Sequence, residues 1–531
     1  MWTIAIACAL CAWVWVRIVK IGRREPNLPP GPPTVPVLGN IHIFPTKFAF
    51  FKLTEWARKY GDIYSIKIGP KTIIVLSSMK AVKELIDQQS GLTCDRPKSY
   101  MADTMYEGLF TALMGYSELW RRLRKTMHTI LTPNGAAAHQ SIQAAEATQL
   151  MHDMLHSPKL YFTHIERYST SVIASIVFGK HFTHFNCPEM EAIFKSIETG
   201  VKVLEPGAHP PIDQVPILKY IPERWAKWKR LAKRGNRLAS HIYLHMLSIC
   251  EQRIQRGEEN GCFLEDVIKN KDQYELSRRQ ISFLGGALLD GGAHTTSAFL
   301  QSLVLCLTAF PDTQKKAQAE IDKVIGPDRV PQLEDFARLP YCSALINEMH
   351  RFRIVGPLGI PHATLDDGMY RGYFLPKESL IFINSWGIYH DPDVYEDPET
   401  FNPDRYLQNK FGVKAGVDVK DFRNNIIFGG GRRICPGMHV ANASLALNVM
   451  NLLWAFDFSA PVDSTTGKPC VVDTFKYQEG IFYQPMPFSC TIHPRSAAKA
   501  AIIEDEFEDA CITFRKFDGV PVELPSVDET F

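Results

Sequence analysis

The run Phe428-Gly429-Gly430-Gly431-Arg432-Arg433-Ile434-Cys435-Pro436-Gly437 holds a single cysteine in a glycine-rich loop, with a helix-patterned segment from Met438 onward. A thiolate stays ionised only with positive charge and N–H donors nearby, which two arginines and a helix N-terminus can supply. Glycines let the backbone close around sulfur without a Cβ in the way. The plain alternative is a buried structural cysteine beside a turn. Elsewhere, Glu348 and Arg351 sit at i, i+3 in an apolar, helix-periodic run from Leu339 to Phe352, so they share one helix face. Taken alone, such a pair usually marks a solvated face. A third group, Asp290-Gly291-Gly292-Ala293-His294-Thr295, falls inside a long apolar helix pattern from about Ser277 to Phe310. Its glycines leave room beside the helix and can loosen it locally.

The pattern F-x-x-G-x-R-x-C-x-G, filled at Phe428, Gly431, Arg433, Cys435 and Gly437, closely resembles the haem-thiolate loop of the cytochrome P-450 family. Similarity to that family runs in order from about Pro29 to about Ser496. The resemblance implies haem b bound through Cys435 as axial iron ligand, with Phe428 and Gly437 shaping the loop. It implies propionate donors at Trp120 and Arg124 (the W-x-x-x-R helix), His362 and Arg433; for His362 a satisfied structural histidine is the alternative. Glu348, Arg351 and Arg405, the last in Phe401-Asn402-Pro403-Asp404-Arg405-Tyr406, would form a buried charge triad. Tyr406 there replaces the usual Phe. Gly291, Gly292 and Thr295 fill A/G-G-x-D/E-T, and the Thr295 hydroxyl would relay protons in oxygen activation.

One position departs from the pattern: His294 stands where Asp or Glu is usual. Three readings follow: an adapted proton relay, poor coupling with peroxide leakage, or a reaction needing no oxygen activation. Imidazole can shuttle protons because its ordinary pKa is about 6.5, and Asp290, four residues earlier, could orient it.

What the resemblance implies for activity is a monooxygenase that inserts one atom of O2 into a lipophilic small molecule, in specialised metabolism. Electrons would come from NADPH through NADPH–cytochrome P-450 reductase, with cytochrome b5 as a second candidate donor. Arg121, Arg122, Lys125 and Arg432 could face the acidic reductase. By family position, Met105, Phe110, Phe283, Leu288, Leu358, Ile481 and Phe482 would line the substrate pocket, although several could be ordinary core residues. Two other classes stay open: a haem-thiolate isomerase or dehydratase acting on a peroxide without reductase, and a non-catalytic haem- or ligand-binding protein.

The elements that must position these groups are mostly helical. Helix periodicity is read over Trp120–Leu131, Ile142–Leu155, Arg230–Arg256 and Thr313–Ile325, and strand patterns over Ile63–Ile68, Thr72–Leu76, Tyr370–Phe374 and Leu380–Asn384. Further β-like pieces fall near Ile481–Ile492. The expected fold class is mainly α with small sheets, the cytochrome P-450 fold as one large domain behind a membrane anchor helix. The 531 residues carry 59 basic and 57 acidic side chains, a balance that gives no support to nucleic-acid binding. Twelve cysteines without paired short spacing indicate neither a zinc site nor a disulfide scaffold.

Residues Trp2 to Val16 are apolar or small, and Arg17, Lys20, Arg23 and Arg24 follow with no basic residue before them. That order predicts a single-pass anchor over 1–21 with the body in the cytosol, at the endoplasmic reticulum membrane. A basic, proline-rich hinge over 22–36 precedes the catalytic domain over 37–496. An acidic tail over 497–531, with Glu504-Asp505-Glu506-Phe507-Glu508-Asp509, is expected to be solvated and poorly ordered.

Overall fold

The computed structural model describes residues 20–205 and 209–517, Leu524 and Pro525, and Trp2, Ile6, Cys8, Leu10, Trp13 and Trp15 of the first nineteen. Helix α1 (Ala49–Tyr60) leads into an antiparallel pair, β1 (Ile63–Ile68) and β2 (Lys71–Leu76). Helices follow: α2 (Tyr100–Tyr106), α3 (Glu118–Leu131), α4 (Gln140–His156), α5 (Tyr161–Phe178), α6 (Pro188–Leu204), α7 (Lys227–Arg256), α8 (Arg278–Ala309), α9 (Pro311–Val324) and α10 (Pro340–Phe352). Then come β3 (His362–Ala363), β4 (Gly368–Tyr370), β5 (Tyr373–Leu375) and β6 (Leu380–Ile383). Helix α11 (Met438–Ala455), strands β7 (Phe456–Ser459) and β8 (Thr491–Pro494), and helix α12 (Ala497–Phe514) complete the body.

Helix α8 is the axis of the molecule. A capping box at Ser277 and Gln280 starts it, and Pro311 opens the next helix just beyond its end. It packs against α5, α7 and α11, and its flanks bury Leu284, Leu289, Leu300, Leu303 and Val304 completely. This is a helix apolar nearly all round, as a core helix of a large domain must be. The small sheet, in the order β1-β2-β6-β3, stands to one side, with β2 and β6 parallel and the other pairs antiparallel.

Two strand expectations change. The run Tyr370–Phe374 is not one strand: Arg371 and Gly372 both have positive φ (49° and 80°), and the chain reverses into the β4–β5 hairpin. Two consecutive left-handed residues match the twist of a two-residue hairpin turn, and glycine accepts that geometry without strain. In the Ile481–Ile492 region the only regular strand is β8, from Thr491.

The tail expected to be disordered over 497–531 is helical over Ala497–Phe514 and docks along α4. Lys499, Ile503, Ala510 and Phe514 are buried at helical spacing, Phe507 stacks on His152 and Phe514 on His181. Asp505, Glu508 and Asp509 are exposed, whereas Glu504 reaches back to α4. The anchor expected over 1–21 falls largely outside the described residues; among those described, no single helix is long and apolar enough to cross a membrane.

Candidate functional site

The cysteine loop is laced to the chain segment that follows β2. Asp87 Oδ1 accepts the Gly431 N–H (2.8 Å) and Ser90 Oγ accepts the Arg432 N–H (2.8 Å). Gly431 has φ +55°, and a Cβ there would meet Ile86 O at 2.2 Å, so only glycine fits. The Cys435 N–H donates to Phe428 O at 2.8 Å, closing the loop on itself just before α11. Gly437 is the residue that caps α11.

Cys435 is half-buried, and desolvation of its thiol pushes the pKa up, opposed by the Gly437 N–H and by Arg124. The two arginines that precede it in sequence do not face the sulfur. Arg432 turns to Tyr116 Oη (3.1 Å), and Arg433 donates from Nε to Cys94 O (2.6 Å). Local charge therefore does not hold the thiolate on its own; a bound metal cation is what deprotonates a coordinating thiol outright.

Arg433 belongs instead to a cationic cluster with Arg96 and Arg124, beside the uncharged His362. Its Nη1 and Nη2 are buried without a hydrogen-bond partner, and the guanidinium lies 3.9 Å from the Trp120 ring centroid. Burial, with smaller effects that include repulsion from Arg124, lowers Arg433 to about 10. Burial and neighbouring Arg433 and Arg124 lower Arg96 to about 9. His362 is lowered to about 3 by burial and by Arg96, while its Nδ1 contacts Thr93 O at 2.9 Å. Two unpartnered buried guanidinium nitrogens within such a cluster fit an anion with several oxygens, such as the carboxylates of a porphyrin.

Two expected donors are partly spent elsewhere. The Trp120 indole N–H goes to Thr111 O (3.1 Å) because α3 lies close under that carbonyl; its ring, not its N–H, faces Arg433. Arg124 donates from Nη2 to Ile434 O at 2.5 Å, tying α3 to the cysteine loop. Arg96 was missed by sequence reading. It donates to Ala112 O, Ile360 O and Pro361 O (2.9, 2.8 and 2.8 Å), and a lone arginine before a proline has no spacing signal to reveal this.

At the centre of α8 the two glycines differ. A Cβ on Gly292 would meet Ile173 at 2.8 Å, whereas one on Gly291 would meet nothing within 4 Å, and Gly291 is exposed to an open space. Gly292 thus serves close packing of α5 on α8, and Gly291 faces a void. Thr295 donates its hydroxyl to Gly291 O (2.8 Å), leaving oxygen lone pairs as acceptors one turn along the same helix.

His294 lies 5.3 Å from the Phe482 ring, and burial lowers its pKa to about 4. It is neutral at pH 7, a weaker base than its ordinary value suggested. Asp290 does not orient it: Asp290 Oδ2 accepts from Tyr243 Oη on α7 at 2.5 Å, and Oδ1 is buried without a partner. Burial raises this carboxyl to about 7. Tyr243 reaches it by lying flat on α8 where Gly286 leaves room; a Cβ there would meet the ring at 2.4 Å.

The three charged residues expected to meet do so. Arg351 makes a two-pronged contact with Glu348 (Nε to Oε2 and Nη2 to Oε1, each 2.8 Å), and Arg405 Nε lies 3.2 Å from Glu348 Oε2. The Asn402 N–H adds a donor to Oε1 at 2.7 Å, and Arg351 also satisfies Tyr389 O, Pro398 O and Thr400 O.

The expected pocket residues divide. Phe110, tilted against Tyr106, and Phe482, beside His294, are half-buried, as is Ile481. Leu288 is buried in the central core. Met105 is fully buried against the backbone of α6 and α7 at Gly200 and Gly235, and Phe283 is held between Tyr243 and Arg279. Both are core residues of helix contacts. Leu358 packs with the residues around β1, β2 and Trp386 rather than with the central cluster.

Against known proteins, residues 29–474 match the family model described as Cytochrome P-450. A cytochrome P-450 monooxygenase of Armillaria gallica is 43% identical over 501 residues, covering 94% of this chain and 96% of that one. One from Aspergillus terreus is 38% identical over 96% of both chains. A zebrafish cytochrome P-450 solved with progesterone aligns with a TM-score of 0.69 at 24% identity, over 84% of this chain and 99% of that one.

Proposed function

Because this chain belongs to the cytochrome P-450 family and is an oxidoreductase of its monooxygenase kind, we propose that Cys435 would hold the iron of a haem b through its thiolate. Arg433, Arg124 and Arg96 would hold its propionates, and His362 would join them only once a propionate's charge protonates its second nitrogen. Bound haem would supply the chemistry in which O2, NADPH and a proton convert a C–H bond to an alcohol, with the second oxygen leaving as water. The observation that carries this reading is the pair of buried, unpartnered Arg433 nitrogens beside a loop closed around one thiol.

The chain's own residues would then do four things. Arg433 and its neighbours orient the anionic cofactor. Gly291 leaves the space beside α8 open, and Thr295 would pass protons through its hydroxyl into that space. His294, uncharged, would act in that chain as a neutral donor and acceptor. Glu348, Arg351 and Arg405 brace the loop region from behind.

Substrates would be lipophilic small molecules of specialised metabolism, a reading supported by the fungal relatives and by the apolar surroundings of Phe110 and Leu288. Electrons would come from NADPH through a cytochrome P-450 reductase, with cytochrome b5 as a second donor, docking where Arg121, Lys125 and Arg432 are exposed. Membrane attachment at the endoplasmic reticulum is supported by the apolar N-terminal sequence. Exposed Ile217, Tyr220 and Trp225 between α6 and α7 add to that support.

The test is a difference spectrum of dithionite-reduced, haem-loaded protein with and without carbon monoxide. A strongly red-shifted Soret band in wild type, absent in Cys435→Ala, is expected. A shorter-wavelength band in well-folded wild-type protein would overturn the assignment. Incorporation of label from heavy O2 into product, dependent on NADPH and reductase, separates monooxygenation from peroxide rearrangement.

A further inference from the structure

Helix α12 brings to α4 a set of side chains with the donors of a metal site. His152 and His156 lie one helical turn apart on α4, with ring centroids 4.4 Å apart. Glu504 reaches over from α12. Its Oε1 lies 2.9 Å from His156 Nε2 and its Oε2 3.3 Å from His152 Nε2. One ligand atom from each residue lies within 4.8 Å of the others. Two ligand atoms at zinc–nitrogen or zinc–oxygen distance in a tetrahedral shell are themselves about 3.4 Å apart. The three therefore need only a small closure to share one ion.

The surroundings add to the fit. The His152 ring lies flat on Phe507, 3.8 Å between centroids with planes 14° apart, which fixes the imidazole plane. Its other nitrogen, Nδ1, is buried without a hydrogen-bond partner and lies 4.0 Å from Asp153 Oδ1. Asp153 is itself held by Arg167 Nε at 3.0 Å. Closure of Asp153 onto that nitrogen would supply the carboxylate support usual for a metal-binding histidine. His156 and Glu504 are 55% and 45% exposed, so an ion can enter from solvent and keep a water in its fourth position.

We propose that His152, His156 and Glu504 form a divalent-metal site of zinc type that fastens the C-terminal helix to the catalytic body. Two imidazole nitrogens and one carboxylate oxygen suit zinc, whereas calcium and magnesium take oxygen donors. Binding replaces the histidine–glutamate contact by three bonds to one ion and releases water and any shared proton. The site is separate from the cysteine loop and does not depend on the haem assignment.

The test uses the untagged, haem-loaded full chain, stripped with a chelator and dialysed against zinc chloride at pH 7.5, with zinc per protein measured by elemental analysis. One tight equivalent is expected in wild type, weakened about tenfold or more in both His156→Ala and Glu504→Gln. Hydrogen exchange across residues 497–514 should slow on adding zinc in wild type and not in the variants. Equal zinc binding by wild type and both variants would overturn the site. So would a wild-type dissociation constant weaker than about 100 µM, or unchanged exchange in zinc-saturated wild type.

Discussion

At the scale of single residues, the centre of α8 carries two titratable groups shifted in opposite directions by the same cause. Burial raises Asp290 to about 7 and lowers His294 to about 4, so both are uncharged over much of the range between. The folded carboxyl of Asp290 binds its proton more tightly than the unfolded one. Its favourable contribution is therefore complete below the unfolded pKa and is lost as pH rises through about 7. Relative to Asp290→Asn, wild-type stability should fall by the order of 4 kcal/mol between acid and pH 8. Paired denaturant curves across pH check this, and a constant difference would mean the carboxyl ionises freely. His294→Asp should leave haem binding intact and change the solvent isotope effect or peroxide yield; if neither moves, His294 has no part in proton delivery. The sequence made His294 visible as a departure from a pattern. It did not reveal that Asp290 would turn to Tyr243, because that partner comes from a helix nearly fifty positions away.

At the scale of elements, the Gly291-Gly292 pair shows how one dipeptide serves two purposes. Gly292→Ala should cost about 1–3 kcal/mol, because the new Cβ meets Ile173 on α5 in a packed interface. Gly291→Ala should be neutral or stabilising, since alanine favours helix and nothing lies nearby. Its effect would fall on ligand affinity instead. Thermal unfolding of both variants separates the cases, and equal losses would show that the void beside Gly291 closes in solution. Helix α10 depends on its charges in a different way. Glu348→Gln leaves Arg351 and Arg405 buried without a counter-charge, so a loss of about 3–5 kcal/mol is expected in chemical denaturation. The i, i+3 spacing of Glu348 and Arg351 was readable from sequence, but their complete burial was not. That burial arises because the chain after β6 returns Arg405, Asn402 and three backbone carbonyls to the same spot.

At the scale of the whole molecule, the C-terminal helix is part of the body. Ending the chain after Ser496 would uncover the surface against Ile503, Phe507, Ala510 and Phe514, an apolar contact worth several kcal/mol. The truncated protein should melt earlier, and an unchanged melting temperature would mean the helix is only loosely docked. The acidic run Glu504–Asp509 masked this element, although the spacing of Ile503, Phe507, Ala510 and Phe514 held the signal. By itself, the sequence determined what is set by local chemistry and short spacing. That includes the cysteine loop, where Gly431 is required by backbone geometry, the long apolar helix, and the continuously apolar strands β1 and β2. Only the tertiary structure decided which long-range partners each polar group finds. Arg433 turned from the sulfur to a cationic cluster, the Trp120 N–H went to Thr111, Asp290 went to Tyr243, and His152 and His156 met Glu504. A buried donor or acceptor is costly unless it is paired, and the available partner depends on which segments the packed core brings together.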